Sequence, residues 1–318
     1  MRPGFPALLF LASLSACRLE RPDPVSQAAA ILNKHPSEFR DQLASLDALA
    51  LREWRESNVT EITKYPERSI LAESLFAYSR RLKPVLAALP GARDQADSDA
   101  NRFASARIHL DSARSRLDSA RIAVLNAFIF DTLGIAADTV GADFANSVPS
   151  LVLQRRTGAC VGLTLLYLAL GRYLDLDLVP VFLPGHVFVR YLPQGGVPRN
   201  IETLRRGIAR SDSFYRERFS LDKRPWYSLA DARPEQALAA LVFNLANMHR
   251  AAGDLKTSKE EFRLVESVLP GFPEALGSWG ACLLMEGDKT AARVRLLAAL
   301  SGDSLSAPAA LNLEELEK

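Results

Sequence analysis

The chain has 318 residues, of which 48% are apolar, and its 39 basic residues nearly balance 37 acidic ones. This length and composition suit a globular protein of about two domains with a sizeable core. The net charge of +2 gives no general attraction to nucleic acid or acidic lipid, so nucleic acid is excluded as an expected partner.

The first 17 residues have the layout of an export signal. Met1 and Arg2 give a charged start, residues 5–14 a short apolar run, and the stretch LSAC ends at Cys17. This segment resembles a bacterial lipoprotein signal, which implies that the Cys17 thiol carries lipid after cleavage. Arg18 rather than aspartate follows, so the resemblance implies anchoring at the periplasmic face of the outer membrane. A simple secretory signal or an N-terminal helix is the alternative.

Residues 18–27 are polar, charged and proline-bearing, which is typical of a tether. A helical region is predicted over 28–124, with helical character continuing to residue 147. Within it, LDSAR occurs twice, and apolar residues recur every seven positions from Phe103 to Val124. We expect one long helix there, packed as a hairpin within the chain or on a helix of another chain. His109 lies beside this seam without a ligand partner at a suitable spacing.

The sequence changes character after Pro149. From Cys160, the stretch CVGLTLLYLALGRYL places apolar residues at helical spacing, and Gly158 fits a sharp turn before this helix. The next segment is rich in β-branched and aromatic residues, interrupted by the turn signals LPG and PQGG. The pattern predicts a helix followed by antiparallel strands, and the fold class is α+β.

Cys160 and His186 form a candidate catalytic pair. A thiol becomes a good nucleophile when a helix N-terminus stabilises its thiolate and an imidazole exchanges its proton. The predicted helix begins near Cys160, and His186 opens the strand HVFVRY, so the chain offers both groups. A buried structural cysteine and a turn-capping histidine are the alternative interpretations.

A third polar group is needed to orient the histidine. Side chains alternate along a strand, so His186 and Arg190 share one face, and Asn200 and Glu202 share a face of the next strand. An even pairing register would bring the two faces together. We expect Glu202 in this role, because a carboxylate stabilises an imidazolium more strongly than an amide does; Asn200 is the alternative. A surface ion pair of Glu202 with Arg190 or Arg205 is the non-functional interpretation.

Three stretches of this region resemble the transglutaminase-like superfamily: RRTGACVGLTLLYLALGRYL its cysteine helix, PGHVFVR its histidine strand, and NIET its third-residue strand. The resemblance covers about residues 125–210 and implies a papain-like core with a small antiparallel sheet over 125–230. It also implies Cys160 as nucleophile, His186 as general base and Glu202 as third member. The family usually carries Asp-Pro where this chain has Glu-Thr.

Gln154 is a candidate oxyanion donor. It precedes Cys160 by six residues, an offset at which papain-like peptidases carry a side-chain amide donor. A solvated loop glutamine is the alternative, and the backbone N–H of Cys160 is a further candidate donor.

Residues 231–318 carry a repeat. Gly253 and Gly287 lie 34 residues apart, and each separates two apolar helical patterns. This period resembles the tetratricopeptide repeat, which implies α-helical hairpins joined to the core by the stretch ARPEQALAALVFNL. His249 and Cys282 fall inside the predicted helices and are interpreted as packing residues. No spacing of histidine, cysteine or carboxylate predicts a metal, and no glycine-rich phosphate loop predicts a cofactor.

The sequence leaves three functions open. The first is a lipid-anchored envelope enzyme that cleaves or transfers an amide or acyl group through a Cys160 thioester. The second is a catalytically degenerate module that binds peptide, and the third is an envelope scaffold acting through its repeats. The expected partners are a peptide or protein substrate, the membrane through the lipid, and a protein at the repeats, where a short stabilising appendage is the alternative.

Overall fold

The structure is a computed structural model that describes residues 23–34, 38–57, 71–87, 103–141, 143–194 and 196–317. The predicted signal segment with Cys17 lies outside these residues. In the part of the chain that is described, no helix is both long and apolar enough to cross a bilayer.

The N-terminal region is helical, as the sequence predicts. Its helices are α1 (Pro24–Leu32), α2 (Phe39–Ser57), α3 (Leu71–Ala87) and α4 (Phe103–Ala127). α1 begins inside the predicted tether, because the Asp23 side chain accepts a hydrogen bond from the Ser26 N–H at 2.9 Å and Pro24 suits a first helical turn. The long helix α4 is confirmed, while its packing as a hairpin stays a prediction.

The chain leaves the helical pattern soon after α4, so the expectation of helix up to residue 147 is wrong. A π-helical turn spans Phe128–Thr132, and the short strand β1 (Ala136–Ala137) pairs in parallel with β2 (Thr157–Gly158). Gly134 and Gly141 have φ of +64° and +67°, a backbone conformation that interrupts a helix.

Antiparallel strands form the predicted sheet. In order across the sheet they are β3 (Leu178–Leu183), β4 (His186–Tyr191), β5 (Arg199–Glu202) and β6 (Ile208–Arg210). In the register between β4 and β5, Arg190 pairs with Asn200 and Val189 pairs with Ile201. This is the even register that the sequence analysis requires for Glu202 to face His186. The α+β fold class is confirmed.

A helix that is apolar on all sides forms the centre of the core. α5 (Pro149–Arg155) is followed by α6 (Cys160–Gly171), in which every residue after Cys160 is buried. α6 packs against β3, β4 and a later helix, α8 (Pro234–Ala251), which explains why no side of it is polar. Its buried Thr164 hydroxyl donates to the Val187 carbonyl at 3.3 Å.

The C-terminal region consists of helical hairpins, as predicted. α7 (Asp212–Phe219) follows the sheet; α8 then packs on α9 (Leu255–Val268), α10 (Pro273–Met285) on α11 (Lys289–Gly302), and α12 (Ala307–Leu316) on both helices of the second hairpin. Gly253 and Gly287 end the first helix of each hairpin with φ of +85° and +82°. A continuous group of buried apolar residues reaches from Ala28 to Cys282, so the first hairpin and α10 share a core with the sheet. Buried residues of α11 and α12 form a second, smaller cluster with Leu276. The assignment of the hairpins to the tetratricopeptide repeat stays a prediction.

His249 is buried, but its role goes beyond packing. Its Nδ1 lies 2.8 Å from Oε2 of Glu261 on α9, and its Nε2 lies 3.7 Å from Oε2 of Glu53 on α2. Burial alone would lower the pKa of His249, but the hydrogen bond to Glu261 and the negative charges of Glu261 and Glu53 raise it to about 9. The sequence pattern did not reveal this ion cluster, because its members come from helices far apart in the chain.

Candidate active site

Cys160 is the first residue of α6. The preceding Ala159 has no side chain that could cap the helix, and its backbone N–H bonds to the Asn146 carbonyl at 2.8 Å. The positive end of the α6 dipole, which includes the Cys160 N–H, therefore lies beside the thiol. Cys160 is a partly exposed free thiol, whereas Cys282, on α10, is a fully buried one.

Two glycines let the chain around Cys160 pack closely. A Cβ on Gly162 would lie 2.5 Å from the Asn146 carbonyl oxygen, and a Cβ on Gly158 would lie 2.9 Å from side-chain atoms of Leu163 and Val152. Gly158 does not adopt a positive φ. It supplies room for packing, and the sharp turn that the sequence analysis assigned to it is wrong.

His186 is held at the end of a tight turn. β3 and β4 are joined by Pro184 and Gly185, and Leu183 pairs directly with His186. Gly185 has a φ of +65°, which other residues adopt only with strain. The turn fixes His186 as the first residue of β4 and directs it into the site.

Glu202 is hydrogen-bonded to His186. The Nε2 atom of His186 lies 3.0 Å and 3.1 Å from the two carboxylate oxygens. The same carboxylate accepts hydrogen bonds from the Tyr215 hydroxyl at 3.0 Å and from the Leu204 backbone N–H at 3.1 Å. Burial alone would raise the pKa of Glu202, but the hydrogen bond and positive charge of His186, with those two donors, lower it. Glu202 is therefore a buried carboxylate held in its charged form.

The imidazole of His186 favours its protonated form. Burial alone would lower the pKa of His186, but hydrogen bonds to the Cys160 side chain and to Glu202, with the charges of both, raise it to about 9. Because Nε2 bonds to Glu202, Nδ1 is the ring nitrogen left for the Cys160 thiol. This arrangement can hold a thiolate next to an imidazolium.

Two aromatic residues of α7 contact the histidine and the carboxylate. Tyr215 and Phe219 are four positions apart and so lie on one face of the helix. Tyr215 stacks on Phe188 with ring centroids 4.3 Å apart and an angle of 7°. Phe219 stacks on His186 at 6.3 Å and 6°. Neither residue was predicted from the sequence. The four-residue spacing of the two aromatic residues in FYRERF was the signal that could have indicated them.

Asn200 and Gln154 take other positions. Asn200 accepts a hydrogen bond from Arg190 Nε at 2.7 Å and donates to Asp212 at 2.7 Å, while Glu202 is the residue bonded to His186. Arg190 pairs with two aspartates, and among the described residues Glu202 forms its ion pair with His186 rather than with Arg190 or Arg205. Gln154 is an exposed residue of α5 and is not among the described residues that line the cleft. The catalytic roles of these residues stay predictions.

Cys160 and His186 open into a cleft with walls from both halves of the chain. One wall is formed by the start of α6 and the turn between β3 and β4. The other is formed by α8 and the start of α10, mainly through aromatic and polar side chains: Phe243, Asn244, Phe272 and Glu274. A largely apolar cleft with a few polar groups is typical of a site for a small molecule or an extended chain segment. Within the described residues, no group of histidine, cysteine and carboxylate side chains could hold a metal ion.

The comparison with known families agrees with this geometry. Residues 93–240 match the family model described as the transglutaminase-like superfamily. That range contains Cys160, His186 and Glu202 and is wider than the 125–210 covered by the sequence motifs. No curated protein and no solved structure matches the chain. This part of the chain is thus supported as a transglutaminase-like domain.

Proposed function

We propose that this cleft is a thiol active site that cleaves or transfers an amide or acyl group. The observation that carries the proposal is the chain of contacts from the uncapped start of α6 through Cys160 and His186 to the buried carboxylate of Glu202. A solitary structural cysteine would need neither the imidazole nor the carboxylate behind it.

The reaction begins with the Cys160 thiolate attacking the carbonyl carbon of the substrate. A bond forms between Sγ and that carbon, and the carbonyl oxygen takes the negative charge. When the intermediate collapses, the C–N or C–O bond breaks and His186 gives its proton to the leaving group. A thioester remains on Cys160. Water or an amine, deprotonated by His186, then attacks the thioester and releases the thiol.

Glu202 keeps the imidazole in the orientation that this proton transfer needs. Its two oxygens face Nε2 of His186, so that Nδ1 is the ring nitrogen left to exchange a proton with the thiol. The negative charge also stabilises the imidazolium in the ion pair. In this proposal Glu202 is a positioning residue.

The substrate class that fits the cleft is a peptide or protein. The aromatic lining can take apolar side chains, and Asn244 and Glu274 add polar groups to the same cleft. We further propose that a lipid on Cys17 holds the protein at the periplasmic face of the outer membrane. The helical hairpins would then be available to a partner protein.

Iodoacetamide labelling tests the proposal, with Cys282 as an internal control. The proteins compared carry Cys17→Ala, which removes the N-terminal thiol. Cys282 is fully buried, so labelling of the native protein should occur at Cys160. The rate should fall at least tenfold in His186→Ala, because the thiolate loses its imidazolium partner. Equal rates in the wild type and His186→Ala would contradict the proposal and favour the degenerate peptide-binding module.

Acylation provides the second readout. p-Nitrophenyl acetate should transfer its acetyl group to Cys160 with release of p-nitrophenol, and peptide mapping should find the adduct on that residue. Cys160→Ser should abolish the release above the background rate. An adduct distributed over lysines, with none on Cys160, would count against a thioester mechanism.

A further inference from the structure

The proposed mechanism forms an oxyanion that hydrogen-bond donors stabilise, and the inference here rests on that proposed function. The Cys160 backbone N–H, at the start of α6, can be one of them. A second donor must lie beside the first turn of α6 and face the same cleft. Ser147 meets both conditions.

The segment that carries Ser147 is pressed against the first turn of α6. The Asn146 carbonyl accepts the Ala159 N–H at 2.8 Å, one residue before Cys160. A Cβ on Gly162 would lie 3.3 Å from the Cα of Ser147. The backbone at Ser147 is therefore fixed in direct contact with the turn that carries the thiol.

Ser147 lines the cleft and has a defined hydrogen-bond direction. It is only 4% exposed, and it borders the same cleft as Cys160 and His186. Its Oγ accepts a hydrogen bond from the Asn244 side-chain amide at 2.9 Å. Since Oγ is the acceptor in that contact, the hydroxyl proton is available for another acceptor. Among the hydrogen bonds of the described residues, no acceptor for this proton is found.

We infer that Ser147 donates the second hydrogen bond to the oxyanion and that Asn244 is the positioning residue that sets its direction. An oxyanion in the cleft is the acceptor that the Ser147 hydroxyl otherwise lacks. Asn244 comes from α8, so the C-terminal helices take part in the chemistry through this contact. A donor that is oriented in advance costs little reorganisation when charge develops.

This inference differs from the assignment of Gln154. Gln154 is exposed on α5, and the described cleft lining includes Ser147 and Asn244 instead. Gln154 was suggested only by its offset of six residues from Cys160. Here a short helix, α5, occupies that part of the chain.

Comparison of two reactions of the same thiol tests the inference in the full-length protein. Acetylation by p-nitrophenyl acetate passes through an oxyanion, whereas alkylation by iodoacetamide does not. Ser147→Ala should lower the acetylation rate of Cys160 about 10- to 100-fold, in line with loss of one oxyanion donor. Its alkylation rate should stay within about twofold of the wild type, because the thiolate and imidazole are intact.

Asn244→Asp gives an isosteric second test that leaves Ser147 in place. A carboxylate at this position accepts the Ser147 proton and turns it away from the cleft. The ratio of acetylation to alkylation should therefore fall about as much as in Ser147→Ala. This variant keeps the inference testable if Ser147→Ala does not fold.

Three outcomes would overturn the inference and leave the proposed function standing, and a fourth would overturn both. If Ser147→Ala and Asn244→Asp both keep the wild-type ratio of acetylation to alkylation, Ser147 is not an oxyanion donor. The same holds if the variants lose acetylation and alkylation equally. A reduced ratio in Gln154→Ala with an unchanged one in Ser147→Ala would return the role to Gln154. In these cases the wild type still acetylates on Cys160, so the proposed function survives. Absence of acetylation in the wild type would overturn both.

Discussion

Glu274 accepts a hydrogen bond from the backbone N–H of Gly185 at 2.8 Å. Gly185 is the residue immediately before His186, and Glu274 lies at the start of α10 in the second helical hairpin. The second oxygen of Glu274 accepts a hydrogen bond from the Tyr227 hydroxyl. Burial raises the pKa of Glu274, although both hydrogen bonds oppose that change. The hairpin region therefore holds the turn that sets the position of the histidine.

Replacing Glu274 should loosen this turn. Glu274→Ala leaves the Gly185 N–H and the Tyr227 hydroxyl without their acceptor, which should cost about 1–3 kcal/mol in the free energy of unfolding. The alkylation rate of Cys160 should fall as well, because His186 moves. Glu274→Gln keeps an oxygen that can accept from the Gly185 N–H. It should recover most of the free energy of unfolding and most of the alkylation rate. Urea unfolding and iodoacetamide kinetics measure the two effects, and equal behaviour of Ala and Gln would contradict the assigned contact.

The pH profile of alkylation should distinguish Glu202 from Asn200. In Glu202→Gln the His186 imidazolium loses a hydrogen bond to a carboxylate and its charge, so the pKa of His186 should fall from about 9. With a weaker imidazolium partner, the alkylation profile of Cys160 should shift to higher pH. Asn200→Ala removes a partner of Arg190 and should leave the profile unchanged. The reverse result would transfer the orienting role to Asn200.

Gly162 should not tolerate a side chain. Gly162→Ala places a methyl group 2.5 Å from the Asn146 carbonyl, and the backbone on both sides must move. We expect a loss of about 1–3 kcal/mol in the free energy of unfolding, typical of overpacking. Gly277→Ala is the matched control, since its Cβ would meet its nearest neighbours at 3.8 Å and alanine favours helix. Chemical denaturation measures both variants. If Gly277→Ala is less stable than Gly162→Ala, the close contact assigned to Gly162 is contradicted.

The ion cluster around His249 should make stability depend on pH through Glu261. Glu261 is fully buried, and its Oε1 has no hydrogen-bond partner among the described residues. Burial raises the pKa of Glu261 to about 7, against the attraction of His249. A carboxyl with a raised pKa binds its proton more tightly when folded. Its contribution to stability is therefore full below about pH 4.5 and lost as the pH rises through about 7.

Glu261→Gln should remove that loss. Relative to the wild type, the free energy of unfolding should rise by roughly 1–3 kcal/mol between about pH 5 and pH 9, because glutamine does not ionise. Glu260→Gln, on the half-buried neighbouring residue, is the control and should show no such trend. Urea titrations at several pH values measure the free energy of unfolding of each protein. If the advantage of Glu261→Gln over the wild type shrinks as the pH rises, the raised pKa of Glu261 is refuted.

Lipid attachment at Cys17 has a direct test. Labelled fatty acid fed to an expressing bacterium should enter the wild-type protein and not Cys17→Ala, because the thiol is the expected attachment point. Cys282→Ala serves as a control that removes a different thiol. Equal labelling of the wild type and Cys17→Ala would eliminate the anchor.

Local patterns predicted the parts of the site that lie close together in the chain. The helix from Cys160 and the strands at His186 and Glu202 follow from apolar spacing and alternation. Glu202 and Asn200 share a strand face, so alternation alone could not separate them. Their hydrogen-bond partners separate them. Asn200 bonds to Arg190 and Asp212, whereas Glu202 bonds to His186.

Contacts between distant segments were beyond the sequence patterns. Ser147 meets Asn244 across about a hundred residues, and Gly185 meets Glu274 across nearly as many. The two partners of each pair lie in different elements, so no helix or strand periodicity in the sequence links them. The prediction of helix up to residue 147 failed for a related reason, since β1, between Gly134 and Gly141, pairs with β2 about 20 residues further along the chain.

The division of the cleft between two parts of the chain has a consequence for how proteins of this kind diverge. The match to the family ends at residue 240, whereas Asn244 and Glu274 lie beyond it. Asn244 and Glu274 contact Ser147 and the turn before His186, so changes at these two positions would disturb the site itself. Changes at cleft-lining positions that make neither contact, such as Phe243 and Phe272, would alter the shape of the cleft alone, so selection could act on the shape and on the site separately.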